Sequence, residues 1–439
     1  MDYSAKTKKL VGKASVGDRI AVRAGGGKYE GFLMPKHSGS PDTISLKLES
    51  GYDIGIRPEK ISVVKKAKNA EPEPPPKHAH DPSKPVISIL HTGGTIASKV
   101  DYKTGSAFPA FEPEELTNAV PEIKDLANFR ASVLFQMLSE DMEPDHWVVM
   151  ARRISEEIEK GSDGVIIFHG TDTMSYSAAA VSFMLQNLPV PVIFVGAQRS
   201  ADRGSSDAAM NIICAVNFAV KSDFAGVGIC MHGSASDNYC IINPAVNVKK
   251  MHTSRRDAFR PVDVKPYAKA NYNGSVEILR SDYLRKDKKR KPVLRNGFEK
   301  KITLLKIRPG FNFRELELYK GYKGIILEGT GLGNAPVSVL DEFTKHHAKL
   351  LDSIEKMCAG GVKIFMVSQC PYGRVNMNVY STGKLLQKAG IVPLRMTPEA
   401  AYVKLGWALA NFPKQVEEIM LENFCGEIVE NIKDDTFLI

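Results

Sequence analysis

A series of short apolar runs, which begins at Val86 and alternates with helix-like patterns, constrains the fold of this chain most strongly. Such runs are typical of parallel strands that are buried on both faces and joined by crossover helices. Between two of the runs, apolar residues recur at helical spacing from Trp147 to Ile158. The pattern predicts an α/β fold with parallel strands at residues 86–90, 131–135, 164–168, 191–195, 226–231, 324–327 and 362–367.

The first 70 residues differ from the rest in charge and pattern. They contain 14 Lys and Arg against 7 Asp and Glu, a surplus of seven in a chain whose net charge is +9. Five short β-like stretches separated by Gly-rich turns occupy residues 18–65. We expect a small all-β barrel resembling an SH3-like fold. A Pro-rich stretch over residues 71–85 follows, and its composition favours an extended spacer.

A second basic run, Arg285 to Lys291, has six basic residues and one acidic residue. It lies between two β-like stretches, 275–279 and 301–307, and is expected to form a projecting hairpin or loop. Either basic segment could follow a phosphate backbone, because neutralising phosphates releases condensed counterions. The alternative is a solvated positive face that keeps the protein in solution, and the sequence leaves both open.

Polar loops follow three of the predicted strands. Their sequences are His-Thr-Gly-Gly-Thr at 91–95, His-Gly-Thr-Asp-Thr at 169–173 and Gly-Ala-Gln-Arg at 196–199. Ligands of parallel sheets bind outside the carboxyl ends of the strands, so these loops should line one site. A threonine at such a place is alternatively a helix N-cap. Neither a dinucleotide fingerprint nor a phosphate-binding loop is present, which argues against an ATP or dinucleotide site.

The cysteines and histidines show no metal-ligand spacing, so no metal is expected. No apolar run approaches the roughly 20 residues that a bilayer crossing needs, and nothing at the N-terminus is typical of a secretory signal. A membrane protein is therefore not expected, and we expect the chain in the cytoplasm.

The loops at 92–97 and 169–174, about 75 residues apart, together resemble the two signatures of the asparaginase/glutaminase family. The resemblance covers roughly residues 86–425 and implies a two-domain α/β core with parallel sheets. It divides the chain into the small basic β-barrel (1–70), the Pro-rich linker (71–85), an asparaginase-like N-terminal α/β catalytic domain (86–315) and an asparaginase-like C-terminal α/β domain (316–439).

The resemblance also implies roles for individual residues. Thr95 would attack the side-chain carboxamide, and Thr171, Asp172 and Lys250 would form a second catalytic group. A threonine hydroxyl needs a neighbouring base, and a lysine can serve if its pKa is depressed; Asp172 would orient it. Which threonine attacks first stays open, and Tyr102 is the candidate that polarises Thr95.

Substrate binding is implied for the remaining family positions. Gly94 would lie beside the substrate, Ser139 would bind its α-carboxylate, and Glu140 would bind its α-ammonium group. An acidic side chain facing an ammonium group is chemically sensible. Preference between L-glutamine and L-asparagine stays open.

The barrel, the linker and the basic run resemble the accessory parts of tRNA-dependent amidotransferases. This resemblance implies an amide hydrolase, homodimeric through its core, that releases ammonia from L-glutamine. A partner protein would use ATP and Mg to amidate glutamate on tRNA, and no cofactor is implied for this chain. The alternatives are a free-standing L-asparaginase and a nucleic-acid-binding protein with an inactive core.

Overall fold

The computed structural model describes residues 3–34, 40–48, 53–66, 81–93, 98–100, 107–109, 120–199 and 205–437. The N-terminal part is a five-stranded antiparallel sheet in the order β4-β3-β2-β1-β5 around its own apolar core, which includes Ile20, Val22 and Leu46. All five predicted strands are confirmed, and a short helix that the pattern did not predict precedes them. The elements are α1 (Ala5–Val11), β1 (Arg19–Ala24), β2 (Gly27–Leu33), β3 (Ile44–Leu48), β4 (Asp53–Ile56) and β5 (Lys60–Lys65).

The next part of the chain forms the large sheet and its helices. Its strands are β6 (Val86–Gly93), β7 (Ser98–Val100), β8 (Ala107–Pro109), β9 (Asn128–Met137), β10 (Gly164–Phe168), β11 (Leu185–Gln186), β12 (Pro191–Val195), β13 (Phe224–His232), β14 (Tyr239–Pro244), β15 (Val248–Lys250), β16 (Phe259–Pro261), β17 (Ala268–Asn271), β18 (Val276–Ile278), β19 (Leu284–Arg285) and β20 (Val293–Leu294). Its helices are α2 (Pro144–Glu159), α3 (Met174–Met184) and α4 (Ala208–Lys221).

The large sheet has the order β18-β17-β14-β13-β12-β10-β6-β9. The five strands from β13 to β9 pair in parallel, as the apolar runs predict. Strands β14, β17 and β18 extend the sheet with antiparallel pairing, which the run pattern did not show. The sheet is therefore mixed, and the loops after β9, β10 and β12 meet at the carboxyl edge of its parallel half.

A second, parallel sheet follows in the order β21-β22-β23-β24, and it contains the last two predicted strands. Its first strand lies before residue 316, where the sequence analysis places the start of the C-terminal domain. The sheets themselves divide the chain near residue 300. The elements are β21 (Ile302–Lys306), α5 (Phe313–Glu317), β22 (Gly324–Gly329), α6 (His347–Ala359), β23 (Lys363–Ser368), α7 (Ser381–Lys388), β24 (Val392–Pro393), α8 (Pro398–Asn411) and α9 (Val416–Leu421).

Helix α8 packs between the two sheets. It contacts α3 on one side and strands β21 and β22 on the other. Trp407 of α8 is fully buried and stacks on Phe183 of α3, with ring centroids 5.8 Å apart. One apolar cluster runs from Phe183 through Trp407 to Ile326 and Phe365 of the second sheet, so the two α/β parts share a core.

The basic run at 285–291 does not project, so that expectation is wrong. Strand β19 pairs with the first residues of β13, and the backbone N–H of Asp287 donates to the Pro189 carbonyl. The Lys286 ammonium donates to the Ala219 carbonyl in the last turn of α4, where the helix leaves carbonyls unpaired. The unpaired edge of β13 and these free carbonyls hold the run flat along the amino ends of the parallel strands.

None of the helices within the described residues combines the length and the apolar character that a bilayer crossing requires.

Candidate active site

Thr171, Asp172 and Lys250 meet at the carboxyl edge of the parallel strands. Lys250 Nζ donates hydrogen bonds to Thr171 Oγ1 and to Asp172 Oδ1, each at 2.8 Å. The Lys250 side chain is 13% exposed and that of Asp172 is 67% exposed. The structure thus brings together three residues that the resemblance groups, although 78 residues separate Asp172 from Lys250.

Lys250 is positioned by a two-stranded hairpin. It is the last residue of β15, and its cross-strand partner is Phe259 of β16, whose ring is fully buried. The buried ring anchors the hairpin, so the lysine side chain reaches Thr171 from a fixed backbone. Antiparallel pairing rather than proximity in sequence therefore sets the distance between the two side chains.

The arrangement can activate a hydroxyl group. A protonated lysine carries three donors and no acceptor, so Lys250 in that form binds both neighbours. Once deprotonated, its nitrogen has a lone pair within proton-transfer distance of the Thr171 hydroxyl. The Asp172 carboxylate favours the charged form of the lysine, and it therefore stabilises Lys250 after the amine has accepted a proton.

The capping alternative is not supported by the hydrogen bonds of this loop. Thr173 occupies the N-cap position of α3, but its side chain makes no capping bond. Its hydroxyl instead donates to the Ser139 carbonyl at 2.6 Å, while the Thr171 hydroxyl accepts from Lys250. The loop after β10 is thus tied to the loop after β9.

Ser139 lies inside this contact and Glu140 beside it. Ser139 is buried in a short 3₁₀ turn, Ser139–Asp141, that follows β9. A Cβ atom at Gly170 would come within 2.8 Å of Ser139 Oγ, so only glycine leaves the serine its place. The Glu140 side chain is exposed at the same rim. Both residues are therefore near Thr171, and their binding roles stay predictions.

Gly94, Thr95 and Tyr102 lie outside the described residues, so their assignments stay predictions as well. The last described residue before them is Gly93, at a φ of +117°. It pairs with Met137 at the end of β9, and a Cβ there would meet the Met137 carbonyl oxygen at 2.0 Å. A glycine is required at this position for both reasons.

Two buried histidines flank the site, and the sequence analysis did not assign them a role. Burial lowers the pKa of both His91 and His169 to about 4. His91 Nδ1 accepts from the Gly93 N–H at 3.0 Å, and His169 Nδ1 lies 2.7 Å from the Gly170 carbonyl oxygen. Each ring therefore holds the backbone of one polar loop. Their place directly after an apolar run was the signal that could have identified them.

Within the described ranges, no group of three or more His, Cys, Asp or Glu side chains is arranged to hold a metal ion.

Three family models match the chain. The model of the N-terminal asparaginase domain matches residues 86–283, and that of the glutaminase/asparaginase C-terminal domain matches residues 301–420. The model of the GatD N-terminal domain matches residues 14–66. Together the asparaginase models cover well over half of the chain, and they show that it belongs to the asparaginase/glutaminase family.

Within this family, the chain belongs with proteins named as the GatD component of glutamyl-tRNA(Gln) amidotransferase. The relative from Pyrococcus furiosus is 49% identical over 94% of this chain and 93% of its own length. Those from Thermococcus kodakarensis and Methanobrevibacter smithii are 48% and 42% identical, with 96% and 100% of both chains covered.

Solved asparaginases share the core fold. The L-asparaginase from Thermococcus kodakarensis superimposes with a TM-score of 0.68 at 26% identity, and L-asparaginase I from Vibrio cholerae with 0.66 at 27%. Each match covers 79% of this chain but 100% of the asparaginase. About a fifth of the chain therefore has no counterpart in those enzymes.

Proposed function

We propose that this chain hydrolyses the side-chain amide of L-glutamine and supplies the ammonia of a tRNA amidotransferase. That complex converts Glu-tRNA(Gln) to Gln-tRNA(Gln). One observation carries the hydrolytic part: Lys250 Nζ lies 2.8 Å from both the hydroxyl of Thr171 and the carboxylate of Asp172. The relatives that share nearly the full length of the chain carry the name of the tRNA amidotransferase.

The hydrolysis proceeds through a threonine ester. The hydroxyl oxygen of Thr95 or Thr171 attacks the carboxamide carbon, and the base accepts the hydroxyl proton. That proton returns to the departing nitrogen, so ammonia leaves as the C–N bond breaks. Water then hydrolyses the ester, which releases glutamate and restores the threonine. In this scheme Lys250 is the base for Thr171, and Tyr102 polarises Thr95.

The substrate is held by the rim of the same site. Ser139 binds its α-carboxylate, Glu140 binds its α-ammonium group, and Gly94 lies against it. The exposed Glu140 carboxylate beside the buried Ser139 supports this orientation. An amino acid bound at both charged groups presents its amide to the threonines from one direction.

The amidation belongs to other members of the complex. The partner in this proposal is the E-type component of the glutamyl-tRNA amidotransferase, which uses ATP and Mg to activate the glutamyl group on tRNA(Gln). This chain contributes a homodimer of its asparaginase-like core, requires no cofactor, and works in the cytoplasm within a heterotetramer.

A free-standing L-asparaginase is the second candidate, because solved L-asparaginases match the core over their whole length. It leaves residues 14–66, which match a domain found outside those enzymes, without a role.

Ammonia release from the purified full chain separates the two candidates. L-glutamine and L-asparagine are compared with and without the partner protein and glutamylated tRNA. We expect weak release from glutamine alone and a marked rise when partner and tRNA are present. Fast release from asparagine that the partner and tRNA leave unchanged would instead identify an asparaginase.

A further inference from the structure

A buried hydrogen-bond network connects the protein surface with the catalytic edge. Its central members are Asp207 and Asn211 of the α4 region and His232 at the end of β13, and all three are fully buried. Asp237 and Arg256 form its surface end. Burying this many polar groups is costly unless each has a partner, so their pairing is informative.

Asp207 and Asn211 hold the loop that follows β12. The Asp207 carboxylate accepts the backbone N–H groups of Gln198 at 3.0 Å and Arg199 at 2.9 Å. Asn211 Nδ2 donates to the Gly196 carbonyl at 2.9 Å and to Asp207 Oδ2 at 3.0 Å. Three backbone groups of the loop at 196–199 thus depend on two buried side chains.

The held loop is the surface against which Thr171 packs. A Cβ atom at Gly196 would lie 2.8 Å from Thr171 Cγ2 and 2.8 Å from the His169 carbonyl oxygen. The backbone of Gly196 is therefore in close contact with the threonine that Lys250 addresses. A displacement of this loop would move the Thr171 side chain relative to Lys250.

His232 fixes the orientation of Asn211. Because Asn211 Nδ2 faces two acceptors, its Oδ1 faces His232 Nδ1 at 2.6 Å, and that nitrogen must carry the proton. The Cys240 thiol donates to the same oxygen at 3.3 Å. On the other side, His232 Nε2 lies 3.1 Å from Asp237 Oδ1, which Arg256 also contacts.

We propose that Asp207, Asn211 and His232 are positioning residues for amide hydrolysis. They hold the loop at 196–199 against Thr171 and so set the approach of Thr171 to Lys250. None of them contacts the reacting groups themselves. The inference rests on the proposed hydrolysis at Thr171, and it predicts that the link from His232 to Asn211 matters for turnover, whereas the link to Asp237 does not.

A matched pair of variants tests this separation of the two links. In His232→Asn the amide nitrogen takes the place of Nδ1 and can still donate to Asn211. In His232→Gln the amide nitrogen takes the place of Nε2 and faces Asp237 instead. Both variants remove the buried ring, so a merely structural role of the histidine affects them alike.

Steady-state glutamine hydrolysis and hydrogen exchange are measured for the wild type and both variants in the full chain. Because misplacement by about 1 Å costs about 10²-fold, we expect His232→Gln to lose kcat by about that factor, with KM nearly unchanged. His232→Asn should stay much closer to the wild type. Amide exchange in peptides covering 169–173 and 196–199 should rise only in His232→Gln.

Equal losses of kcat in the two variants, or wild-type kcat and exchange in His232→Gln, would overturn the proposal. A wild type that releases no ammonia from glutamine, even with partner and tRNA, contradicts the proposed function instead. The exchange data then still decide whether His232 holds the loop. The two failures are therefore distinguishable.

Discussion

At the residue scale, the account depends on the lysine that contacts Thr171. Lys250→Met removes the amine but keeps the length of the side chain. Loss of a positioned base typically costs about 10²- to 10⁴-fold, so we expect turnover of glutamine to fall by that factor. Lys249→Met is the matched control, because Lys249 pairs with Glu399 rather than with Thr171. Equal turnover of the Lys250 variant and the wild type would refute the role.

The buried histidines make stability depend on pH. Burial lowers the pKa of His91 and His169 from 6.5 to about 4. Between these values the unfolded chain binds protons that the folded chain does not, so acid favours unfolding. Each group removes about 3 kcal/mol from the free energy of unfolding as the pH falls from 6.5 to 4, at about 1.4 kcal/mol per pH unit.

Denaturant unfolding between pH 7.5 and 4.5 measures this dependence. His169→Asn keeps a donor near the Gly170 carbonyl but does not titrate in this range. Its free energy of unfolding should therefore change less with pH than that of the wild type. Identical slopes for the two proteins would contradict a neutral, buried His169.

Sequence reasoning located the reactive residues better than the residues that position them. Thr171, Asp172 and Lys250 could be assigned because family motifs surround them. His232 and Asn211 could not, because each occupies one polar position in an apolar strand or helix. Their partners become neighbours only when β13 and α4 pack together.

At the scale of elements, the parallel strands were predictable and the antiparallel ones were not. A strand covered on both faces has an uninterrupted apolar run, as in Gly164–Phe168, where every residue is buried. Strand β18 is only partly covered, and its position depends on pairing with β17. The basic run at 285–291 was misjudged for the same reason, since the edge that receives it comes from β13.

Helix α8 should contribute strongly to stability, because it packs against both sheets. Trp407 is fully buried, and its indole N–H donates to the Arg295 carbonyl at 2.8 Å. Truncation of a buried aromatic side chain costs about 3–5 kcal/mol, which is the loss we expect for Trp407→Ala in chemical unfolding. Leu340→Ala, at a residue that is 82% exposed, is the control and should change little. Similar stabilities of the two variants would contradict the shared core.

At the scale of the whole molecule, the N-terminal barrel and the catalytic core should be separable. The apolar cluster of the barrel is distinct from the clusters of the two α/β parts. Solved asparaginases lack a counterpart to about a fifth of this chain. Deleting residues 1–80 should therefore leave glutamine hydrolysis intact. A collapse of hydrolysis in a deletion protein that keeps its thermal midpoint would place the barrel in the active site.

The domain order of the molecule was predictable from charge and composition, but the direction in which its parts face was not. The surplus of positive charge and the Pro-rich stretch separate the barrel from the core. By contrast, the run at 285–291 lies along the amino ends of the parallel strands, whereas Thr171 lies at their carboxyl ends. Placement on opposite edges depends on the folded sheet and leaves no mark in the local sequence.

Amide transfer in the assembled complex tests the central claim most directly. The partner protein and Glu-tRNA(Gln) are combined with either the wild type or Lys250→Met, and Gln-tRNA(Gln) is measured with glutamine or with ammonium chloride as the nitrogen source. We predict that Lys250→Met abolishes amidation from glutamine and preserves amidation from ammonium. Undiminished amidation from glutamine in the Lys250→Met complex would show that the ammonia comes from another site.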